Sequence, residues 1–307
     1  MALIMNFENP LTLADGRQLG WSVYGPDGGH PVLYCHGVPG SRREFDPLES
    51  VIEDSGLRLV VLERPGYGIS SPPRGEDGFG DFARDAAEAM ALLGYPRFHV
   101  IGYSGGGPYA LACAARLGPE QVPRVLLVSS IAPFNGPHWL EGMNPQGHEI
   151  YRTSLEEPDR LDDLLAPLGA DLPGLADQII SVAAPSDRER LTRATAGREA
   201  FITNVTAALG GGLQGARHDI RHHAAPWGFD LAGIKQPVTL FHDTEDCNIP
   251  IHHAEQLVRC LPHARLVHLE GFGHFGLYAA ENLAVLLRAL RGGSGSAVTD
   301  TSYHPFG

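Results

Sequence analysis

Phe98-His99-Val100-Ile101-Gly102-Tyr103-Ser104-Gly105-Gly106 is the stretch whose reading decides the fold. Its first four residues read as a β-strand, and Pro108 to Leu117 carries a helical pattern closed by Gly118-Pro119. Between them, Gly102-Tyr103-Ser104-Gly105-Gly106 satisfies G-x-S-x-G in the strand–turn–helix setting that the motif requires. Such a turn is strained, so the flanking positions need residues without side chains. The start of the following helix favours negative charge developing beside it. The plain alternative is a glycine-rich turn with an incidental serine; the matched context on both sides argues against it.

Working outward, the chain alternates strands and helices. Leu11 to Leu13 and Leu19 to Tyr24 flank Asp15-Gly16 and read as a hairpin. Pro31 to Cys35 and Leu57 to Leu62 are short continuous apolar runs, as expected of strands covered on both faces. Helices are expected over Ser41 to Asp54 and Asp81 to Leu93, the second capped by Gly94, and Val125 to Ile131 is a further strand. The rhythm resumes with a strand at Val238 to Phe241, a helix at His253 to Cys260, a strand at Ala264 to Leu269 and a helix at Leu277 to Leu290. This order predicts an α/β fold with a mostly parallel sheet and right-handed crossovers.

Pro133 to Pro226 breaks the rhythm. It shows helical patterns at Asp159 to Leu168, Leu175 to Ala183 and Arg188 to Ala208, and no convincing strand. The expected organisation is a core of residues 1–132 and 227–291, a helical cap over 133–226 above the carboxyl ends of the strands, and a Gly/Ser-rich disordered tail over 292–307.

A serine hydroxyl needs a base to take its proton. His274, in Gly271-Phe272-Gly273-His274-Phe275, stands just past the last expected strand, where a loop can reach across the carboxyl edge. It is one of 15 histidines, so its position rather than its type singles it out. The acid that orients it should lie between serine and histidine in chain order, which leaves Asp243, Glu245 and Asp246 in the loop after Phe241. Two backbone N–H groups should face the developing oxyanion. One is that of Gly105; the other comes from His36-Gly37-Val38-Pro39-Gly40, with Val38 as donor because Pro39 has no N–H. His36 itself reads as structural.

These residues resemble the α/β-hydrolase fold family, and within it the cap-bearing, esterase-like serine hydrolases. The resemblance spans about residues 10 to 290. It rests on His36-Gly37-Val38-Pro39-Gly40, Glu63-Arg64-Pro65-Gly66-Tyr67-Gly68-Ile69-Ser70, the Ser104 turn, Pro226-Trp227-Gly228-Phe229-Asp230, Asp246 with Ile249-Pro250, and Gly273-His274. It implies an eight-stranded, mostly parallel sheet flanked by helices, with an inserted helical cap. It also implies a Ser104–His274–Asp246 triad, since the family pattern H-G-x-x-D-x-x-V-P, laid on His242 to Pro250, puts the acid at Asp246. Asp243 stands where that pattern has glycine, and Glu63 where aspartate is commoner, in a turn-capping role. Ser104 argues against the dehalogenase and epoxide-hydrolase branches, which carry aspartate at the turn. Proline iminopeptidases normally have tryptophan where Tyr103 stands and fit less well.

The expected activity is cleavage of an ester, thioester or lactone through an acyl-enzyme. The same triad also serves C–C bond hydrolysis, acyl transfer and cyclase or lyase steps. A non-catalytic ligand-binding protein on this fold is the reading from another class, and an intact constellation argues against it. No cofactor and no metal is expected: the cluster His218, His222 and His223 reads as a solvated or pocket-lining helix of the cap in preference to a metal site. Phe134, Trp139, Phe201 and Trp227 suggest a pocket for a small-molecule substrate with an apolar part, or simply the core of the cap.

Composition agrees. The 307 residues are 43% hydrophobic and 19% charged, enough for one large α/β domain with an insertion. A net charge of −13 and the absence of a basic stripe argue against nucleic acid. Met1 to Pro10 carries no export-type segment and no apolar run has membrane-spanning length, so a cytoplasmic protein is expected. Cys35, Cys113, Cys247 and Cys260 show no paired spacing and read as small core residues.

Overall fold

The computed structural model describes residues 5–6, 9–74, 78–193 and 195–291; the expected tail, 292–307, lies outside the described residues. The elements in chain order are β1 (Met5–Asn6), β2 (Leu11–Thr12), β3 (Gln18–Leu19), β4 (Trp21–Tyr24), β5 (His30–Cys35), α1 (Glu49–Ser55), β6 (Leu57–Leu62), α2 (Phe79–Leu92), β7 (His99–Tyr103), α3 (Gly107–Gln121) and β8 (Val125–Val128). There follow α4 (Pro145–Glu156), α5 (Leu161–Leu165), α6 (Leu172–Val182), α7 (Pro185–Arg193), α8 (Thr195–Leu209) and α9 (Gln214–His223). The last part holds β9 (Val238–Asp243), α10 (His252–Cys260), β10 (Ala264–Leu269) and α11 (Ala280–Leu290).

The main sheet runs β1-β4-β6-β5-β7-β8-β9-β10. From β6 to β10 every neighbour is parallel; β1 and β4 are antiparallel additions at one edge. The fold is the expected α/β one, but the count of eight is reached only with the two-residue β1; seven strands have four residues or more. The central strands are buried on both faces, as their unbroken apolar runs require: all six residues of β6 are buried. Alternate residues feed two cores. Leu33, Val60, Val100 and Leu127 pack under α2, α3 and α10, and Val32, Val61, Ile101 and Leu126 pack under α1 and α11.

Several local expectations change. The hairpin forms only as the short ribbon β2–β3 around Gly16, and β4 leaves it to pair antiparallel with β6. The first helix begins at Glu49, not Ser41, because residues ahead of it serve long-range contacts: Ser41 donates through N–H and Oγ to Asn204 Oδ1 of α8, and Tyr34 donates to Glu44. Between β8 and β9 the described residues form helices and no strand. The expected helix from Arg188 to Ala208 is met by α7 and α8 on either side of residue 194, which lies outside the described residues, and α4 is additional.

Strand order places the site. β6 and β7 lie on opposite sides of β5, so the loops leaving β5 and β7 part at their carboxyl ends and open a crevice there. The loop after β5 is His36 to Gly40, and β7 runs directly into Ser104. No helix among the described residues is long and apolar enough to cross a membrane.

Candidate active site

Ser104 sits at φ 53°, in the left-handed region. For a residue with a side chain this costs about 1–2 kcal/mol, and tight packing around the turn sustains it. A Cβ on Gly102 would lie 2.7 Å from the Ala110 Cβ, and one on Gly106 would lie 2.1 Å from the Cys35 carbonyl oxygen. Neither position admits a side chain, which is why β7 can turn so sharply into α3.

The Ser104 hydroxyl is 3.1 Å from His274 Nε2, and His274 Nδ1 is 2.8 Å from Asp246 Oδ2. A carboxylate only accepts, so Nδ1 carries the proton and Nε2 is left to accept from Ser104. All three residues are buried. The other Asp246 oxygen, Oδ1, accepts the N–H groups of Asn248 and Ile249 at 2.8 and 2.9 Å, which locks the carboxylate in place. Burial alone would lower the His274 pKa; the charge and hydrogen bond of Asp246 outweigh it, and the net direction is upward. Asp246 is held below the usual carboxylate range, its own burial penalty being outweighed by His274.

The rivals of Asp246 lie elsewhere. Asp243 Oδ2 accepts the N–H groups of Phe272 and Gly273, and its Oδ1 that of Glu245, so Asp243 shapes the loop that carries His274 without touching the ring. Glu245 is exposed. Glu63 accepts from the Ile69 N–H and from Arg42, closing the turn at Gly68. His36 is buried; its Nε2 accepts the Arg64 N–H, and burial pushes its pKa well down.

Long-range contacts from the inserted helices were invisible in the sequence. Asp187 of α7 accepts the His274 N–H at 2.7 Å and the Phe275 N–H at 2.9 Å. Burial pushes its carboxyl up to about 6. Arg190, one turn on, donates to the carbonyls of Phe272 and Gly271. His223 of α9 donates from Nε2 to the Gly105 carbonyl at 2.9 Å, while the Tyr151 hydroxyl lies 2.9 Å from its Nδ1. That explains one member of the histidine cluster. His222 Nδ1 instead caps its own helix at the His218 carbonyl, and among the described residues no group of His, Cys, Asp and Glu could hold a metal.

Ser104 and His274 open onto a cavity of about 160 Å³, to which Val38 and Gly105 also contribute. Its remaining walls are largely apolar and come from the insertion: Leu165, Leu175, Ile179, Phe201, Leu213 and Ile220. Asn144, Gln146 and Asn248 add neutral polar groups, and no Asp, Glu, Lys or Arg lines it. Of the four aromatic residues suggested for a pocket, Phe201 alone lines this cavity. Trp139 is fully buried and donates to the Ala132 carbonyl, Trp227 packs on Phe79, and Phe134 is exposed. Only Cys35 and Cys113 are core residues; Cys247 is half-buried and Cys260 exposed.

A family model described as alpha/beta hydrolase fold matches residues 30–280. Among characterised relatives, a non-heme chloroperoxidase of Streptomyces lividans is 32% identical over 126 residues, a stretch that covers 40% of this chain and 45% of the relative's length. A proline iminopeptidase of Lactobacillus delbrueckii subsp. bulgaricus is 25% identical over 80% of this chain and 83% of its own. Among solved structures, a bromoperoxidase from Bacillus anthracis superposes with a TM-score of 0.68 at 18% identity, covering 90% of this chain and 96% of that one. A thermophilic esterase from Thermogutta terrifontis gives 0.67 at 21%, covering 92% and 94%. At such identities these structures speak for the fold alone.

Proposed function

From a chain that belongs to the alpha/beta hydrolase fold family, we propose a serine hydrolase that cleaves a carboxylic ester, thioester or lactone through an acyl-enzyme on Ser104. The observation that carries this reading is the relay from Ser104 Oγ through His274 to Asp246, at 3.1 and 2.8 Å, opening onto an apolar cavity. In the first step Ser104 Oγ attacks the substrate carbonyl while His274 Nε2 takes its proton. The carbonyl oxygen becomes an anion facing the N–H groups of Val38 and Gly105. His274 returns the proton to the leaving oxygen or sulfur, and the acyl group stays on Ser104. Water, deprotonated by the same nitrogen, then releases the acid. Asp246 keeps its charge throughout, fixing the tautomer and stabilising the imidazolium. The inserted helices act as a lid that shapes the acyl pocket.

The substrate is expected to be neutral near the scissile bond. No charged side chain lines the cavity, and an ionic group brought there would lose its hydration with no partner. Two assays test the reading together. A fluorophosphonate probe should label Ser104, and p-nitrophenyl esters of increasing acyl length should turn over with a preference for short to medium chains. Absence of labelling in folded protein would falsify the enzyme reading. Labelling without ester turnover would instead move the reaction to C–C bond hydrolysis or acyl transfer by the same residues.

The pH dependence follows from the base. Hydrolysis needs His274 unprotonated at Nε2, and Asp246 raises its pKa above the ordinary 6.5, so the inactive protonated form persists to higher pH. The acid limb of kcat/KM is therefore expected to fall away through a midpoint above 6.5. A midpoint well below that value would contradict His274 as the base.

A further inference from the structure

A buried cation stands directly behind the loop that follows β5. Arg64 is only 1% exposed. Its Nη1 donates to the His36 carbonyl at 2.6 Å and its Nη2 to the Gly37 carbonyl at 2.9 Å. Nε and Nη2 also reach Asp219 Oδ2 of α9, at 2.9 and 2.6 Å. The hydroxyls of Tyr67 and Tyr109 complete the shell of Asp219. Burial penalises both charges, yet each holds the other ionised: the Asp219 carboxyl lies at about 2 and the guanidinium is pushed up. The motif Glu63 to Ser70 thus contributes a permanent buried charge that the relay through Ser104 does not use.

The Gly37 carbonyl and the Val38 N–H belong to one planar peptide. The Gly37–Val38 peptide is trans, so its C=O and N–H point in opposite directions. Arg64 Nη2 and His36 Nδ1 together hold the Gly37 oxygen from behind, which turns the Val38 N–H the other way, towards the side on which Val38 lines the cavity beside Ser104. A charged donor on the carbonyl also polarises the peptide and strengthens the donor at its far end. The second candidate donor is built on the same plan with neutral groups. The Ser104 carbonyl accepts the N–H groups of Gly107 and Ile131, so the Gly105 N–H faces away from them.

We propose that Arg64, anchored by Asp219 of the helical insertion, is the positioning residue of the oxyanion site: it orients and polarises the Gly37–Val38 peptide so that the Val38 N–H meets the negative charge developing on the substrate oxygen. This role rests on the serine-hydrolase reading. Arg64 touches no reacting atom. Its effect reaches the reaction only through the peptide, and should therefore appear in the transition state and not in substrate binding.

Arg64→Lys is the test. Lysine keeps a cation beside Asp219, but a single ammonium cannot reproduce the planar fork that spans two carbonyls and a carboxylate. In the folded variant, kcat on a p-nitrophenyl ester should fall about 10- to 100-fold with KM nearly unchanged, the magnitude of a weakened oxyanion donor. Affinity for an aryl boronic acid, whose adduct on Ser104 is tetrahedral and anionic, should fall in step. The acid limb of the pH profile should stay where it is, because Arg64 makes no contact with His274. A folded variant with wild-type kcat and boronate affinity overturns the proposal, and so does a loss confined to KM. Should Arg64→Lys not fold, Asp219→Asn addresses the same point. It keeps the shape and one acceptor but slackens the anchor, so kcat and boronate affinity should both drop, by about threefold or more; both unchanged overturns the proposal. Wild-type protein that takes up no fluorophosphonate removes the underlying reading instead, whereas labelled wild type beside an unaffected Arg64→Lys removes only the role of Arg64.

Discussion

Ser104→Ala is expected to lower kcat for a p-nitrophenyl ester by roughly four to six orders of magnitude while leaving the fold intact. The change removes one hydroxyl, which touches His274 Nε2, and leaves the turn as it was. Alanine at φ 53° carries the same backbone strain as serine, and the glycines that let the turn form are untouched. The thermal midpoint should therefore move little, with a stability change within about 1 kcal/mol. Residual activity would be that of the proposed oxyanion donors, the Val38 and Gly105 N–H groups, on bound substrate. A variant that retains a tenth of wild-type turnover would show that another nucleophile does the work.

The second large effect separates two aspartates in one loop. In Asp246→Asn, the position of Oδ1 must still accept the N–H groups of Asn248 and Ile249. The amide oxygen is thus retained there, and the NH2 group turns towards His274 Nδ1. A donor facing Nδ1 forces that nitrogen to accept and moves the ring proton to Nε2, where it blocks the approach of the Ser104 proton. A loss of about 10⁴-fold in kcat is expected, with the protein folded. Asp243→Asn should behave differently. Both Asp243 oxygens accept backbone N–H groups, so an amide there opposes donor to donor and costs about 1–3 kcal/mol of stability. The readout is kcat per folded molecule beside a thermal melt. A larger kcat loss for Asp243→Asn, at unchanged stability, would reverse the assignment.

Several features were legible because their signals are local. The strands β5, β6 and β9 announce themselves as short apolar runs, and Ser104 as a serine among glycines between a strand and a helix. His274 could be picked from 15 histidines only by its place after the last strand. The choice of Asp246 over Asp243 is three residues wide and beyond any periodicity; which carboxylate meets the ring depends on how Asp243 folds Phe272 and Gly273 around itself. The helix α4 did carry a readable start, since Asn144 caps it through the Gly147 N–H with Pro145 in the first turn. Its polar composition hid it. Asp187, Asp219 and His223 were out of reach for another reason: they meet His274, Arg64 and Gly105 across 87, 155 and 118 residues. No motif marks Asp187 or Asp219, and His223 stood out only as one of three clustered histidines; the way the insertion folds back over the sheet gives each its place. The count of eight depends on the two-residue β1, whose edge pairing of Met5 with Val23 has no pattern long enough to read.

The grip of Asp187 on the His274 and Phe275 amides bears on how this chain could be re-engineered. A graft that replaced residues 133–226 with the equivalent segment of another chain would import a new pocket and also strip the histidine loop of the carboxylate on which two of its amides close. Such a chimera would need an aspartate at the position of Asp187 before its pocket could matter. Tuning of acyl preference is better confined to wall positions that make no such junction. Leu175, Ile179 and Leu213 line the cavity and make no hydrogen bond to the histidine loop.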